Sequence, residues 1–169
     1  RLCPPLTDQA ASQVHRQLTT RTLKMACKEA ICPVQLWCSP SSTHSFFTTL
    51  KENFPVTLEK QAGNNLGEKM HHAFCTSLQS AQHVILIGSD SPSLSPEVLK
   101  NAIVALKNHH DITLAPALDG GYALIGLNRP QQRLFKEINW GKQDVLTTTL
   151  KRIKTLKLNY YELPLQWDV

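Results

Sequence analysis

The segment His83-Val84-Ile85-Leu86-Ile87-Gly88-Ser89-Asp90-Ser91-Pro92 decides how the rest of the chain is read. Val84–Ile87 is apolar at four successive positions, so the strand it predicts is covered on both faces, as in a buried central strand of a parallel sheet. Gly88 closes that strand and a polar loop follows. Ser95-Pro96 then predicts a helix start, because a serine side chain caps free amides and proline's fixed φ suits the first turn. Glu97 lies at the positive end of this helix, and Val98, Ala102, Ala105 and Leu106 carry an apolar stripe to about Asn108.

The same alternation extends in both directions. Downstream, Ile112–Ala115 and Gly121–Leu127 read as strands, a helix runs from about Gln143 to Lys157, and Tyr160–Leu163 is a final strand. Upstream, Thr7 predicts the cap of a helix to about Ala26, striped by Ala10, Val14, Leu18 and Met25. Val34–Trp37 and Pro55–Leu58 read as short strands on either side of a helix from about Thr43 to Glu52. The stretch 61–67 is loop-like, and a helix follows to about Leu78 with Met70, Phe74 and Leu78 on one face. Strands alternating with helices across short connections predict a three-layer α/β/α sandwich around a mainly parallel sheet. No linker or internal repeat divides the chain, so residues 1–169 are expected to form a single domain.

Composition excludes several classes. A chain of 169 residues that is 41% hydrophobic buries roughly 70% of the surface its unfolded form exposes, which disfavours disorder. Its apolar runs are far shorter than the roughly 18 residues of a membrane span, so no membrane partner is expected. No signal-peptide pattern opens the chain, which begins at Arg1 rather than Met, so further residues are expected upstream. Cys3, Cys27, Cys32, Cys38 and Cys75 are odd in number and lack Cys-x-x-Cys spacing, which fits a reducing, cytoplasmic location. No fourth ligand lies near Cys27, Cys32 and Cys38 at zinc-site spacing. His71-His72 and His109-His110 are sequence neighbours and so point about 100° apart on a helix, which suits a surface role better than a two-ligand face.

The 18 basic and 13 acidic residues leave a net charge of +5, a balance that suits anionic small molecules such as nucleotides. The densest basic run, Lys151-Arg152-Ile153-Lys154 with Lys157, reads as the solvated face of an amphipathic helix. No stacking aromatics interleave with it, so no nucleic-acid partner is expected.

In open α/β sheets ligands bind beyond the carboxyl ends of the strands, and two loops there stand out. In Gly88-Ser89-Asp90-Ser91-Pro92 a carboxylate stands beside a glycine that lets a ligand approach the backbone. That combination suits a magnesium or manganese ion carrying phosphate oxygens, although an ordinary strand-to-helix turn has similar composition. In Asp119-Gly120-Gly121-Tyr122 the carboxylate can bind a sugar or acceptor hydroxyl or act as a general base, although Asp-Gly is also a common hairpin turn. Gly88, Gly120, Gly121 and Gly126 are all expected to flank the mouth of the sheet. No phosphate-loop, dinucleotide-binding or serine-hydrolase motif is present, and neither Ser89 nor Ser91 has an evident histidine partner.

Motifs along almost the whole chain resemble a bacterial family of GT-A-type, glycosyltransferase-like proteins, the radical-SAM/selenodomain-associated transferases of the nucleotide-diphospho-sugar transferase superfamily. Its more distant relatives include molybdenum-cofactor and phospholactate nucleotidyltransferases. The resemblance rests on Arg1-Leu2 with Pro4 and Leu6; on Gln61, Gly63, Leu66-Gly67-Glu68, Met70 and Ala73-Phe74; and on Gly88 to Pro92 with Leu94. It is closest at Pro116, Asp119-Gly120-Gly121-Tyr122 and Leu124 to Leu127, is weaker at Trp140, Val145 and Thr149-Leu150, and ends at Asp168-Val169. Lys69 stands where the family usually has arginine, and Gly141-Lys142-Gln143 follows Trp140 where Ser-Thr is common.

The resemblance implies a GT-A fold whose first strand would precede Arg1, and a metal-dependent transferase that uses a nucleotide-activated donor, foremost a nucleotide-diphospho-sugar. The alternatives are a nucleotidyltransferase that takes an NTP and releases pyrophosphate, and a noncatalytic nucleotide-binding domain. It further implies that Asp90 and Asp168 hold a divalent metal, magnesium or manganese. Arg1, Gln61, Gly63, Leu66, Gly67, Gly88 and Ser89 would border the donor nucleotide, and Gly120, Gly121, Tyr122 and Trp140 would face the acceptor. Asp119 and Asp90 would be the catalytic carboxylates.

Overall fold

The computed structural model describes residues 3 and 5–169. Twelve elements follow one another: α1 (Asp8–Cys27), β1 (Val34–Cys38), α2 (Ser45–Asn53), β2 (Val56–Lys60), α3 (Leu66–Ser77), β3 (Val84–Ile87), α4 (Pro96–Lys107), β4 (Ile112–Pro116), β5 (Tyr122–Leu127), α5 (Gln132–Phe135), α6 (Val145–Thr155) and β6 (Tyr160–Glu162). Side-chain caps set the starts of four of the six described helices. The Thr7, Asn65 and Ser95 side chains accept hydrogen bonds from the amides of Ala10, Glu68 and Val98, capping α1, α3 and α4. Helix α2 begins later than Thr43 suggests, because the cap is His44, whose Nδ1 accepts from the Phe46 amide. The short helix α5 has no side-chain cap and no periodic pattern to announce it.

Four strands form a sheet in the order β3-β5-β4-β6. β5 runs antiparallel to both β3 and β4, and β6 is parallel to β4, so three of the four point the same way. Side chains alternate between two cores. On one face Leu124, Ala115, Ile85 and Ile87 pack against Val98, Leu99 and Ala102 of α4. On the other, Ile112, Leu114, Ile125 and Leu127 pack against α3, α5 and α6 through Phe74, Phe135 and Ile153. The result is the three-layer α/β arrangement expected from the sequence. Strands β1 and β2 pair in parallel as a separate two-stranded sheet over Leu23 and Leu50.

Two expectations are corrected. β3 is not a central strand: it is at the edge of its sheet, pairs only with β5 among the described residues, and leaves Val84 to Ile87 half-buried. Gly126 does not flank the mouth. It pairs with Ile85 and Thr113 inside the sheet, where an added Cβ would meet Thr113 Cγ2 at 2.5 Å and Leu106 Cδ1 at 3.0 Å. Its missing side chain allows α4 to pack closely on the strands.

Candidate functional site

Strands β3 and β4 end on the same side of the sheet, and the last residues of the chain tie those ends together. The Gln166 amide donates to the Pro116 carbonyl at 2.8 Å and accepts from the Leu118 amide at 3.1 Å through its own carbonyl. The Val169 amide donates to the Asp90 carbonyl at 2.9 Å, and Ser93 Oγ exchanges 2.9 Å hydrogen bonds with the backbone of Trp167. Helix α1 holds the β3 loop from outside, with Thr22 and Arg21 donating to the carbonyls of Ser89 and Pro92. The segment 164–169 thus places Asp168 beside the loop that carries Asp90.

Asp90 is half-buried, and its carboxylate makes no hydrogen bond or ion pair with any described residue. It folds back over Gly88, where an added Cβ would be 2.6 Å from Asp90 Oδ1. Gly88 therefore makes room for this carboxylate.

The turn at Asp119 is a tight hairpin between β4 and β5. The Ala117 amide donates to the Gly121 carbonyl at 3.0 Å, and the Gly121 amide donates to Asp119 Oδ1 at 2.9 Å, which fixes the carboxylate at the tip. Gly120 has φ +88°, and a Cβ there would press on Gln143 Cα at 2.6 Å, so the turn closes directly on the approach to α6. The hairpin and the candidate functional loop are the same turn.

Of the residues expected on the acceptor side, Tyr122 buries its hydroxyl beside Thr149 without a well-formed hydrogen bond, and burial pushes its pKa well up. Its ring meets Trp140 edge-on at 6.4 Å between centroids. Trp140 in turn covers Gly67, where a Cβ would be 2.9 Å from Trp140 Nε1, and so joins the hairpin to the start of α3.

The residues at 61–68 that are expected to border the donor mostly bond one another. Gln61 Nε2 donates to the Trp37 carbonyl at 3.0 Å, anchoring the loop to β1. The Glu68 carboxylate accepts from the Asn64 amide and Asn65 Nδ2, both at 2.8 Å, while Asn65 Oδ1 accepts from the Glu68 amide at 3.0 Å. Gly63, at φ +128°, leaves space for Glu68, and Leu66 stands exposed. Arg1, assigned to the donor phosphates, lies outside the described residues.

Sequence reading did not single out Gln166, which is 5% exposed and has its amide oxygen buried without a partner, or the link from Ser93 to Trp167. Neither carries a local signal. Among the described residues no three His, Cys, Asp or Glu side chains group as a metal site, and no helix is long and apolar enough to cross a membrane.

Known proteins match this arrangement. The model of the family described as "Uncharacterized protein conserved in bacteria (DUF2064)" matches residues 22–142. A Desulfovibrio desulfuricans G20 protein, provisionally classed as a nucleotide-diphospho-sugar transferase, superposes with a TM-score of 0.83 at 26% identity, covering 96% of this chain and 71% of that one. The structure of 4-diphosphocytidyl-2C-methyl-D-erythritol synthase superposes at 0.60 with 14% identity, covering 90% and 80% of the two chains. A CMP:2-keto-3-deoxy-manno-octonic acid synthetase complexed with CTP does so at 0.60 with 5% identity, covering 88% and 80%. The last two are likenesses of fold. No curated protein matches the chain.

Proposed function

The chain belongs to the DUF2064 family, and from that premise we propose that it is a transferase using a nucleotide-activated donor, foremost a nucleotide-diphospho-sugar. Within the family we place it in the radical-SAM/selenodomain-associated branch. One observation carries this reading. The Asp90 carboxylate is half-buried at the mouth of the sheet with no hydrogen-bond or ion-pair partner among the described residues, which leaves its charge available to a ligand. The class given to the Desulfovibrio protein supports the same choice.

The donor set fits a divalent metal. Magnesium is commonly held by one or two carboxylates while substrate phosphates supply further oxygens. Asp90 and Asp168 are brought to one place by the bond from Val169 to Asp90. Bound there, the metal would neutralise charge on the departing diphosphate.

Gln61, Gly63, Leu66, Gly67 and Ser89 border the nucleotide, the first through its hold on the end of β1. The hairpin tip presents Asp119 to the acceptor, with Gly120 and Gly121 keeping side chains out of its way and Trp140 forming the wall behind. The acceptor hydroxyl attacks the anomeric carbon. The bond from that carbon to the diphosphate oxygen breaks, the nucleoside diphosphate leaves with the electron pair, and Asp119 takes the acceptor's proton.

The cytidylyltransferase-type neighbours favour a second reading at the same mouth. There an acceptor oxygen attacks the α-phosphorus of an NTP and pyrophosphate leaves.

A thermal-shift screen tests both, with nucleotide-sugars, NDPs and NTPs in magnesium, manganese or chelator. A ligand at a hundred times its Kd stabilises the native state by about 2.7 kcal/mol. The expected result is a metal-dependent shift that Asp90→Asn abolishes, and product analysis with the preferred ligand separates glycosyl from nucleotidyl transfer. A shift without turnover would favour a noncatalytic nucleotide-binding domain. No shift with any nucleotide would overturn the proposal.

A further inference from the structure

The positive charge of this chain is concentrated in one region. Residues 129–157 hold eight of the 18 basic residues and two of the 13 acidic ones, a net +6 that leaves −1 for the remainder. Helix α6 presents Thr148, Lys151, Arg152 and Thr155 at spacings of three and four, which puts them on one face, and Arg133 of α5 lies opposite. Between them is an open cavity of about 370 Å³, bordered also by Leu156 and lined by no acidic side chain. That volume lies within the ordinary range for small-molecule sites.

The cations in this cavity differ in what holds them. Arg152 is half-buried and anchored: Nη1 donates to the carbonyls of Arg133 and Leu134 at 3.2 and 3.3 Å, and Nη2 to that of Glu137 at 3.2 Å. Its partners are neutral, so its charge is oriented but not cancelled. Arg133 and Lys151 are exposed, and their side chains make no hydrogen bond or ion pair with a described residue. The lysines of the run read from the sequence as a solvated face are exposed, and two of its members, Lys151 and Arg152, also form one wall of a concave site whose opposite wall comes from another helix.

We propose that the α5–α6 cavity binds a phosphate-bearing small molecule at a site separate from the mouth. A phosphate chain offers the density of negative charge that a planar guanidinium, a lysine ammonium and a threonine hydroxyl together recognise. The two sites are distinct along α6. Its Leu146 amide bonds the Gly120 carbonyl at the mouth, while Arg152 is six residues further, about 9 Å down the helix axis. The proposal stands independently of the transfer reaction.

The experiment is calorimetric titration of inorganic pyrophosphate into the protein in chelator, which removes metal-dependent binding at the mouth. Binding is expected to weaken at least tenfold in the Arg133→Gln/Lys151→Gln double variant, to weaken less in Lys151→Gln, and to be unchanged in Asp90→Asn. Both substituted side chains are exposed and unpartnered, so a matching thermal melt is expected for the double variant. Three results would overturn the proposal: no binding in chelator, equal binding by the double variant, or binding of an oligonucleotide or anionic vesicles but not of pyrophosphate. Because Asp90→Asn is read separately, a failure here leaves the donor site at the mouth standing.

Discussion

In the loop from Gln61 to Glu68 the polar and glycine positions answer to other protein atoms. Gln61 holds the Trp37 carbonyl, Glu68 and Asn65 cap one another, Gly63 clears space for Glu68, and Gly67 is roofed by Trp140. In the loop from Gly88 to Pro92 the backbone is tied down by Thr22, Arg21 and Val169, yet the Asp90 carboxylate bonds to no described residue. Both loops carry the composition of a ligand site. The difference teaches that a loop with the composition of a ligand site can shape it through bonds that satisfy its own polar groups, or can hold a charged group in place for something else.

The sharpest test of that contrast is Asp90→Asn. Removing a carboxylate that acts only on the ligand should lower the transfer rate at least a hundredfold, about 2.7 kcal/mol of transition-state stabilisation. The urea midpoint should hardly move, and a variant that unfolds would break the comparison outright.

Gly63→Ala should act in the opposite sense. It forces a side chain into a φ of +128° with Glu68 Cβ only 2.6 Å away, and a loss of about 2 kcal/mol in urea unfolding is expected. Gly88→Ala is its control. The atom it would meet is the movable tip of Asp90, so stability should fall by less than about 1 kcal/mol while metal-dependent donor binding weakens.

Glu68→Ala should remove the reciprocal cap of α3 and cost about 1 kcal/mol by the same measurement, again with little direct effect on turnover.

The smallest effect is expected at Tyr122, between the two loops. Burial raises the pKa of its phenol, so the native state keeps that proton more tightly than the unfolded chain does. The associated stability is present below the unfolded value near 10 and drains away as pH climbs past it. Tyr122→Phe should therefore unfold within about 0.5 kcal/mol of the parent at pH 7, since the neighbouring Thr149 hydroxyl donates to the Val145 carbonyl and forms no well-made bond to the phenol, and should show a shallower decline from pH 9 to 11. Cys38, whose pKa burial pushes up to about 11, adds to the decline in both proteins.

Most of the elements were legible in the sequence because their signals are local. Thr7 and Ser95 cap where expected, and the alternation of strands with striped helices specifies the α/β class. The candidate site was legible at the level of loops: the structure brings the Asp90 and Asp168 segments together and sets Asp119 at the tip of the neighbouring hairpin. The roles within those loops were not. Gly126 was read as a mouth residue because its neighbours along the chain include the hairpin, whereas its contacts are Thr113 and Leu106.

The sequence by itself determined the kinds of element, their order and most of their capped ends, since periodicity and capping act within a few residues. Only the tertiary structure decided that, among the described residues, β3 is an edge strand, Glu68 is bonded while the Asp90 carboxylate is not, and Arg133 and Lys151 share one cavity. Strand pairing, the satisfaction of a buried polar group and the summing of charge depend on atoms brought close in space, and no local pattern specifies which distant residues those will be.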